Sequence, residues 1–322
     1  PLDRIKPMRR IDFTNESLTQ YGAAKITDLS WKDTLDLYSC TECGRCQDLC
    51  PAWNTGKPLT PKGLIIDLKT NLYRNKEAIL AGKTEEVGSI IDAHVTENVI
   101  WACTSCRACE IACPVFIQQV DKIYETRRNL VMMESRFPTE VQTVFKNMET
   151  NASPWAFAAS DRANWSEGLD VKTMADVGDA SQVDVLLWVG CAGSFDDRNK
   201  KVLRSFVNLL NKASVKFAIL GTEEQCTGDP ARRIGNEYLY QTLATANIET
   251  MNRYQVKKVV TACPHCFNTL KNEYKDFGGN YEVIHHSQMI SQMIREGKLK
   301  PTTALNEKVT FHDSCYMGRW NG

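Results

Sequence analysis

Residues 40–51 read Cys40-Thr41-Glu42-Cys43-Gly44-Arg45-Cys46-Gln47-Asp48-Leu49-Cys50-Pro51, and residues 103–114 repeat the spacing as Cys103-Thr104-Ser105-Cys106-Arg107-Ala108-Cys109-Glu110-Ile111-Ala112-Cys113-Pro114. The pattern C-x2-C-x2-C-x3-C-P therefore occurs twice. In such a run three thiolates converge on one 4Fe-4S cubane from a tight loop, and the fourth reaches the neighbouring cluster. This assigns Cys40, Cys43, Cys46 and Cys113 to one cluster and Cys103, Cys106, Cys109 and Cys50 to the other. Zinc takes four ligands as two C-x-x-C pairs and has no use for the third close cysteine or the trailing Cys-Pro. Disulfides between cysteines three apart are geometrically awkward and do not call for the repetition.

Between the motifs the pattern is helical. Thr60-Pro61 reads as a cap followed by proline at the first helical position, and Leu64, Ile65, Leu68 and Leu72 then recur on one face. A second helical pattern is expected through Val87, Ile90, Ile91, Val95 and Val99 into Trp101, with further helices at about 120–133 and, after Pro138, 141–148. Two clusters among helices resemble the α-helical ferredoxin domain of fumarate reductase iron-sulfur subunits and heterodisulfide reductases. Gly44, Ser105 and Ala108 are small enough to leave backbone amides free to donate to cluster sulfurs, which raises the reduction potential.

Residues 151–181 read as an ordered connector, since Trp155, Phe157 and Trp165 interrupt its Ala, Ser, Asp and Gly. From residue 182 strand and helix patterns alternate: strands near 183–189, 215–220, 257–261, 283–285 and 309–312, helices near 202–210, 238–254 and 289–294. Such alternation predicts an α/β layer with a mainly parallel sheet and ligands at the carboxyl ends of its strands. Cysteines stand at those ends: Cys191, then Cys226 in Cys226-Thr227-Gly228-Asp229-Pro230, then Cys263-Pro264-His265-Cys266. Their order resembles the cysteine-rich "CCG" domain of heterodisulfide reductase catalytic subunits and of glycolate, lactate and anaerobic glycerol-3-phosphate dehydrogenase iron-sulfur subunits. Asp229-Pro230-Ala231-Arg232-Arg233, the Cys263–Asn268 run and His285-His286 look closest to electron-transfer flavoprotein:menaquinone oxidoreductases.

The resemblance has one departure. The fullest motif of that family has two adjacent cysteines where this chain has Cys226 and Thr227, so an ordinary third 4Fe-4S cluster on Cys191, Cys226, Cys263 and Cys266 is expected, with zinc on the same four as the alternative. Residues 309–315 repeat the strand-then-cysteine order, so a second repeat is expected from about 308. Cys315 is then an additional ligand, of a further site if the native chain continues past Gly322 and of the third site if it does not.

The fold expected is thus α+β and multidomain: an N-terminal arm and α-helical ferredoxin domain over 1–150, a connector over 151–181 and the cysteine-rich domain over 182–322. At 322 residues, with 43 % hydrophobic and 24 % charged residues, two domains with packed cores are affordable. The net charge is zero, so no overall field draws the chain to nucleic acid. No apolar stretch approaches the roughly 20 residues of a membrane helix, and the basic start Lys6, Arg9, Arg10 has no apolar run after it. The three N-x-S sequons at Asn15, Asn151 and Asn164 would suit secretion, but the cysteine grouping argues against it. His265, His285 and His286 read as packing groups, with proton relay as the other role for the last two. Arg232 and Arg233 either offset a cluster's charge or open a solvated helix. No glycine-rich fingerprint marks a dinucleotide, which places any flavin on a partner.

What the resemblance implies is an iron-sulfur oxidoreductase component that takes electrons from a flavoprotein (electron-transfer flavoprotein or a dehydrogenase) and passes them to a quinone. The rivals are a subunit that reduces a disulfide or heterodisulfide, or the iron-sulfur subunit of a 2-hydroxyacid or glycerol-3-phosphate dehydrogenase, and a non-catalytic relay with structural zinc is a further alternative. The expected location is the cytoplasmic face of a membrane, reached through parts outside this segment. No catalytic residue is assigned.

Overall fold

The computed structural model describes residues 8–322, so Lys6 of the basic start lies outside the described residues. The chain forms two compact units that do not follow chain order. The first comprises the described residues up to Phe137 together with Arg232–Glu237 and Gly318–Gly322, and the second holds Pro138–Ala231 and Tyr238–Met317.

The first unit is helical. Ser30 starts the helix Trp31–Ser39 by accepting from the Asp33 amide while Asp33 returns a bond to the Ser30 amide, a reciprocal cap. Thr60 caps Pro61–Arg74 through the Gly63 amide, and this helix buries Leu64, Ile65 and Leu68 beside Leu37, Ile100, Ile123 and Leu130. The helix Gln119–Arg128 runs on into a π-helical turn, Asn129–Met133, and turns an unusually polar face inward. Its Lys122 ammonium reaches Asp33 at 3.1 Å and Asp36 at 2.7 Å, which locks it to the Trp31–Ser39 helix. Burial pushes the Asp33 carboxyl up, but Lys122, with Ser30 and Arg9, brings it down to about 2.

The helix expected through 87–101 is not there. Val87, Ile90 and Val95 are buried from a loop, and only Glu97–Trp101 is helical. The reason is local: the Asp92 carboxylate accepts from the His94 and Val95 amides at 2.7 and 2.9 Å, and Thr96 caps the short helix behind it. Side chains that bond nearby amides offer the backbone an alternative to the helix.

The second unit is built on a four-stranded parallel sheet: β1 (Val185–Trp188), β2 (Phe217–Ala218), β3 (Lys258–Thr261) and β4 (Glu282–His285), in the order β2-β1-β3-β4. β1 is buried along its whole length, as a strand covered on both faces must be. The helices Asp197–Lys212 and His286–Arg295 pack Leu203, Phe206, Val207, Met289 and Met293 against it. The fold is therefore α+β. The order reverses between β1 and β3, so the sheet has a topological switch point at the carboxyl ends of those two strands, where open α/β sheets bind ligands.

The strand expected at 309–312 is a correction. The segment pairs with no described strand, Val309 and Phe311 are 73 % and 86 % exposed, and the chain turns helical at Cys315–Asn321. Alternating residues make a strand only where an edge is available to pair with.

Candidate functional site

The two cysteine motifs of the first unit line two separate cavities. One is lined by Cys40, Cys43, Cys46 and Cys113, together with Gly44, Lys62, Ile65 and Gln119. The other is lined by Cys50, Cys103, Cys106 and Cys109, with Pro61, Arg107, Gln119 and Ile123. Each motif thus gives three sulfurs to its own cavity and its fourth to the other, the crossed arrangement that the spacing demands.

The loops have matching backbones. Glu42 and Gly44 in the first, and Ser105 and Arg107 in the second, take positive φ (57°, 84°, 59° and 55°) at equivalent positions. Amides donate to sulfur in and beyond the second loop: Ser105 N–H lies 3.3 Å from Cys103 Sγ, and Ile117 N–H, past the loop, 3.4 Å from Cys113 Sγ. Burial, reinforced by Cys113 and Cys40, pushes the Cys46 thiol up to about 11. Burial likewise raises Cys109, with Glu110 adding to it, and raises Cys103 against the opposing pull of Arg127. Buried thiolates need a cationic partner to stay ionised, and a donor set made of sulfur alone fits a soft-metal cluster.

The third set gathers at the sheet's switch point. Cys191 follows β1, Cys263 follows β3, and Cys226 follows β2 by way of a short loop. In the pair Cys191–Cys226 the hydrogen bond between the thiols pushes Cys191 up and Cys226 down. In the pair Cys263–Cys266 the same kind of bond lowers Cys263 to about 6 and raises Cys266. Gly190, at φ +73°, holds the β1 turn against them, since a Cβ there would stand 3.4 Å from Cys266 Sγ. Thr227, at the position of the family's second adjacent cysteine, is buried and donates weakly to Cys266 Sγ at 3.9 Å. Cys315 is half-buried at the start of the last helix, whose next residue Tyr316 stacks on His265 with centroids 3.9 Å apart.

Three residues that position this site were not legible in the sequence. The Glu224 carboxylate, fully buried, accepts from the Val189 and Gly190 amides at 2.8 and 2.7 Å, which fixes the turn into Cys191. Arg162 from the connector pairs with Glu224 at 3.2 Å and donates to the Ala152 carbonyl, and Ala152 also accepts from the Cys226 amide at 2.8 Å. Asn247 ties down the next turn through the Gln225 amide and the Cys226 carbonyl. No local motif marks these residues, because their partners are tens of positions away.

His265 is exposed, His285 is buried and His286 is half-buried. His265 Nδ1 meets Asp229 Oδ2 at 2.8 Å, and Asp229 also accepts from Thr269. His285 spans Ser287 and the Ala262 carbonyl at 2.7 and 3.2 Å, and burial, with His286 beside it, brings its imidazole down to about 4. Arg232 and Arg233 are buried rather than solvated and belong to the first compact unit, where Arg232 pairs with Glu237 at 3.2 Å.

Residues 39–117 match the 4Fe-4S dicluster domain model, and residues 185–271 the cysteine-rich CCG domain model. The chain is 30 % identical to a subunit of the dihydromethanophenazine:CoB–CoM heterodisulfide reductase from Methanosarcina mazei, over 89 % of this chain and 70 % of that protein. The chain belongs to the heterodisulfide reductase-like iron-sulfur oxidoreductases. Within this family it is 46 % identical to an EtfAB:quinone oxidoreductase from Syntrophomonas wolfei, over 97 % of this chain and 47 % of the relative. It is 40 % identical to the probable iron-sulfur-binding oxidoreductase FadF of Bacillus subtilis, over 98 % and 50 %. The chain spans about half the length of these two relatives. No solved structure matches it. As a member of this family it carries iron-sulfur clusters, and the first unit's two sulfur-lined cavities fit them. No helix among the described residues is long and apolar enough to cross a membrane.

Proposed function

We propose that the chain is the electron-conducting part of an oxidoreductase that draws single electrons from a reduced flavoprotein and delivers them to a quinone. The observation that carries this reading is the gathering of twelve cysteines into three sets of four, two of them crossed between paired motifs. A 4Fe-4S cubane supplies one-electron chemistry with no bond made or broken. Cys40, Cys43, Cys46 and Cys113 would hold one, Cys50, Cys103, Cys106 and Cys109 a second, and Cys191, Cys226, Cys263 and Cys266 a third. The amides of Ser105 and Ile117 stabilise ligand sulfur, and Glu224 with Arg162 holds the third set's two loops in register. The flavoprotein donor and quinone acceptor follow from the name of the Syntrophomonas relative, and location at the cytoplasmic face of a membrane goes with them.

Disulfide reduction is the second reading, favoured by the similarity to the Methanosarcina protein. Thr227 weighs against it, because a hydroxyl stands where the full motif puts a second adjacent thiolate. Anaerobic iron, sulfide and zinc quantification with low-temperature EPR, on wild type and Cys226→Ser, tests the three-site reading. About twelve irons, falling by about four in the variant, support it, whereas about eight in both, with or without one zinc, sink it. Turnover of the full-length protein with reduced electron-transfer flavoprotein and either a quinone analogue or a disulfide then separates the two acceptors.

A further inference from the structure

Arg127 is 5 % exposed, and its partners among the described residues are carbonyls and a ring. Its guanidinium donates to the carbonyls of Ile100 at 2.8 Å, Cys103 at 2.7 Å and Arg233 at 2.9 Å, with Trp101 O at 3.5 Å and the Trp101 ring 5.2 Å from the guanidinium carbon. Its Nε–H is buried without an acceptor, and among the described residues no carboxylate pairs with it. The neighbouring buried cations differ. Arg107 faces Glu110 at 3.5 Å and Asp121 at 3.1 Å, Arg128 faces Glu125 and Glu237, and Lys122 faces Asp33 and Asp36.

An unpaired buried cation is among the costlier things a fold can contain, and proteins retain one where a counter-charge stands nearby. The nearest candidate is the sulfur set itself, because Arg127 donates to the carbonyl of Cys103, one of its four cysteines, at 2.7 Å. A cubane held by four thiolates is an anion that becomes more negative on reduction, and burial alone makes that extra charge harder to add. A fixed cation beside it acts in the opposite sense.

We propose that Arg127 is the charge partner of the cluster held by Cys50, Cys103, Cys106 and Cys109, a positioning residue that keeps this buried site reducible. The proposal rests on the cluster reading of the proposed function. It concerns a one-electron reduction in which no proton moves and no bond changes, with dithionite as the reductant in the titration. At the other cavity Lys62 is only half-buried and Arg45 is exposed, so water and salt screen them and no equivalent residue is required.

The test is a potentiometric EPR titration of the full-length protein with Arg127 as wild type, Gln and Lys. Arg127→Gln keeps an amide donor for the carbonyls but removes the charge. It is expected to lower the reduction equilibrium of one cluster about tenfold, ~59 mV for one electron, and to leave the other within about twofold. Arg127→Lys, which keeps the charge and loses the forked clamp, is expected to stay within about threefold of wild type. An unmoved midpoint in Arg127→Gln, or a lysine variant as impaired as the glutamine one, overturns the assignment. If the glutamine variant fails to retain its cluster, the lysine variant decides alone: wild-type iron and midpoint support the charge role, and loss of both refutes it. Wild-type protein with less iron than two clusters need would refute the cluster reading itself.

Discussion

The loops Cys40–Cys46 and Cys103–Cys109 have the same cysteine spacing and positive φ at the same two positions, yet they lie in opposite surroundings. In the first, Thr41, Glu42 and Cys43 are exposed, the turn uses Gly44, and exposed Trp31, Leu35, Tyr38, Leu49 and Trp53 lie close by in sequence. In the second, Ser105, Arg107 and Cys109 are buried. There the carbonyls of Cys103, Ser105 and Cys106 are taken by Arg127, Trp320 and Arg319 at 2.7, 3.1 and 2.8 Å. Spacing therefore decides what a loop can hold, and the residues packed around it decide how it is reached and how charge is balanced. Where the first loop has a glycine that takes αL freely, the second forces an arginine into it, at a cost of about 1–2 kcal/mol. The Glu110 and Asp121 ion pairs hold it there.

The comparison can be broken most severely at the crossing. Cys113→Ser lies in the second motif, yet it is expected to deplete the cluster of the first, with a loss of about four irons and of one EPR signal set. Loss from the second motif's own cavity instead would mean that the sets are not crossed. Next in size is the ion pair of the other unit: Glu224→Gln leaves Arg162 buried without its charge partner and is expected to cost about 3–5 kcal/mol in denaturant unfolding. A wild-type midpoint would remove Glu224 from the positioning role.

Exchanging the αL residues sharpens the contrast. Arg107→Gly relieves the strained turn but strands Glu110 and Asp121, so a net loss of about 2–3 kcal/mol is expected. Gly44→Ala only imposes αL on a non-glycine residue in open space, for about 1 kcal/mol. Equal losses would mean that burial does not distinguish the loops. A pH dependence is a separate effect. His285 is held neutral, with its folded value near 4 below an ordinary 6.5, so the unfolded chain takes up the proton first. Its contribution is fully present above about pH 6.5 and is lost as the pH falls toward 4, by about 3 kcal/mol. His285→Gln should flatten that part of the stability profile.

Much was legible where it depends on residues close in sequence. The two close-spaced cysteine runs and the Thr60-Pro61 cap are local, and each strand shows as a short apolar run. What stayed hidden depends on distance: Glu224 meets Arg162 across 62 positions, and Arg127 meets Cys103 across 24. The apolar spacing at 87–99 misled because periodicity reports burial, and a loop punctuated by Asp92 and Thr96 buries the same residues. The segment at 309–312 misled because a strand pattern does not say whether a free edge awaits it.

The crossing of the fourth cysteines also bears on how the protein is made. Cys113 follows Cys46 by 67 positions, so at about 5–20 residues per second a ribosome leaves the first trio without its fourth sulfur for roughly 3–13 s. On the proposed ligand sets, neither metal site can be closed on a half-synthesised chain, and loading is tied to completion of the second motif. A nascent polypeptide truncated between the motifs would offer the trio Cys40, Cys43 and Cys46, and Cys50 as well, to oxygen and stray ions, with nothing to finish either cage.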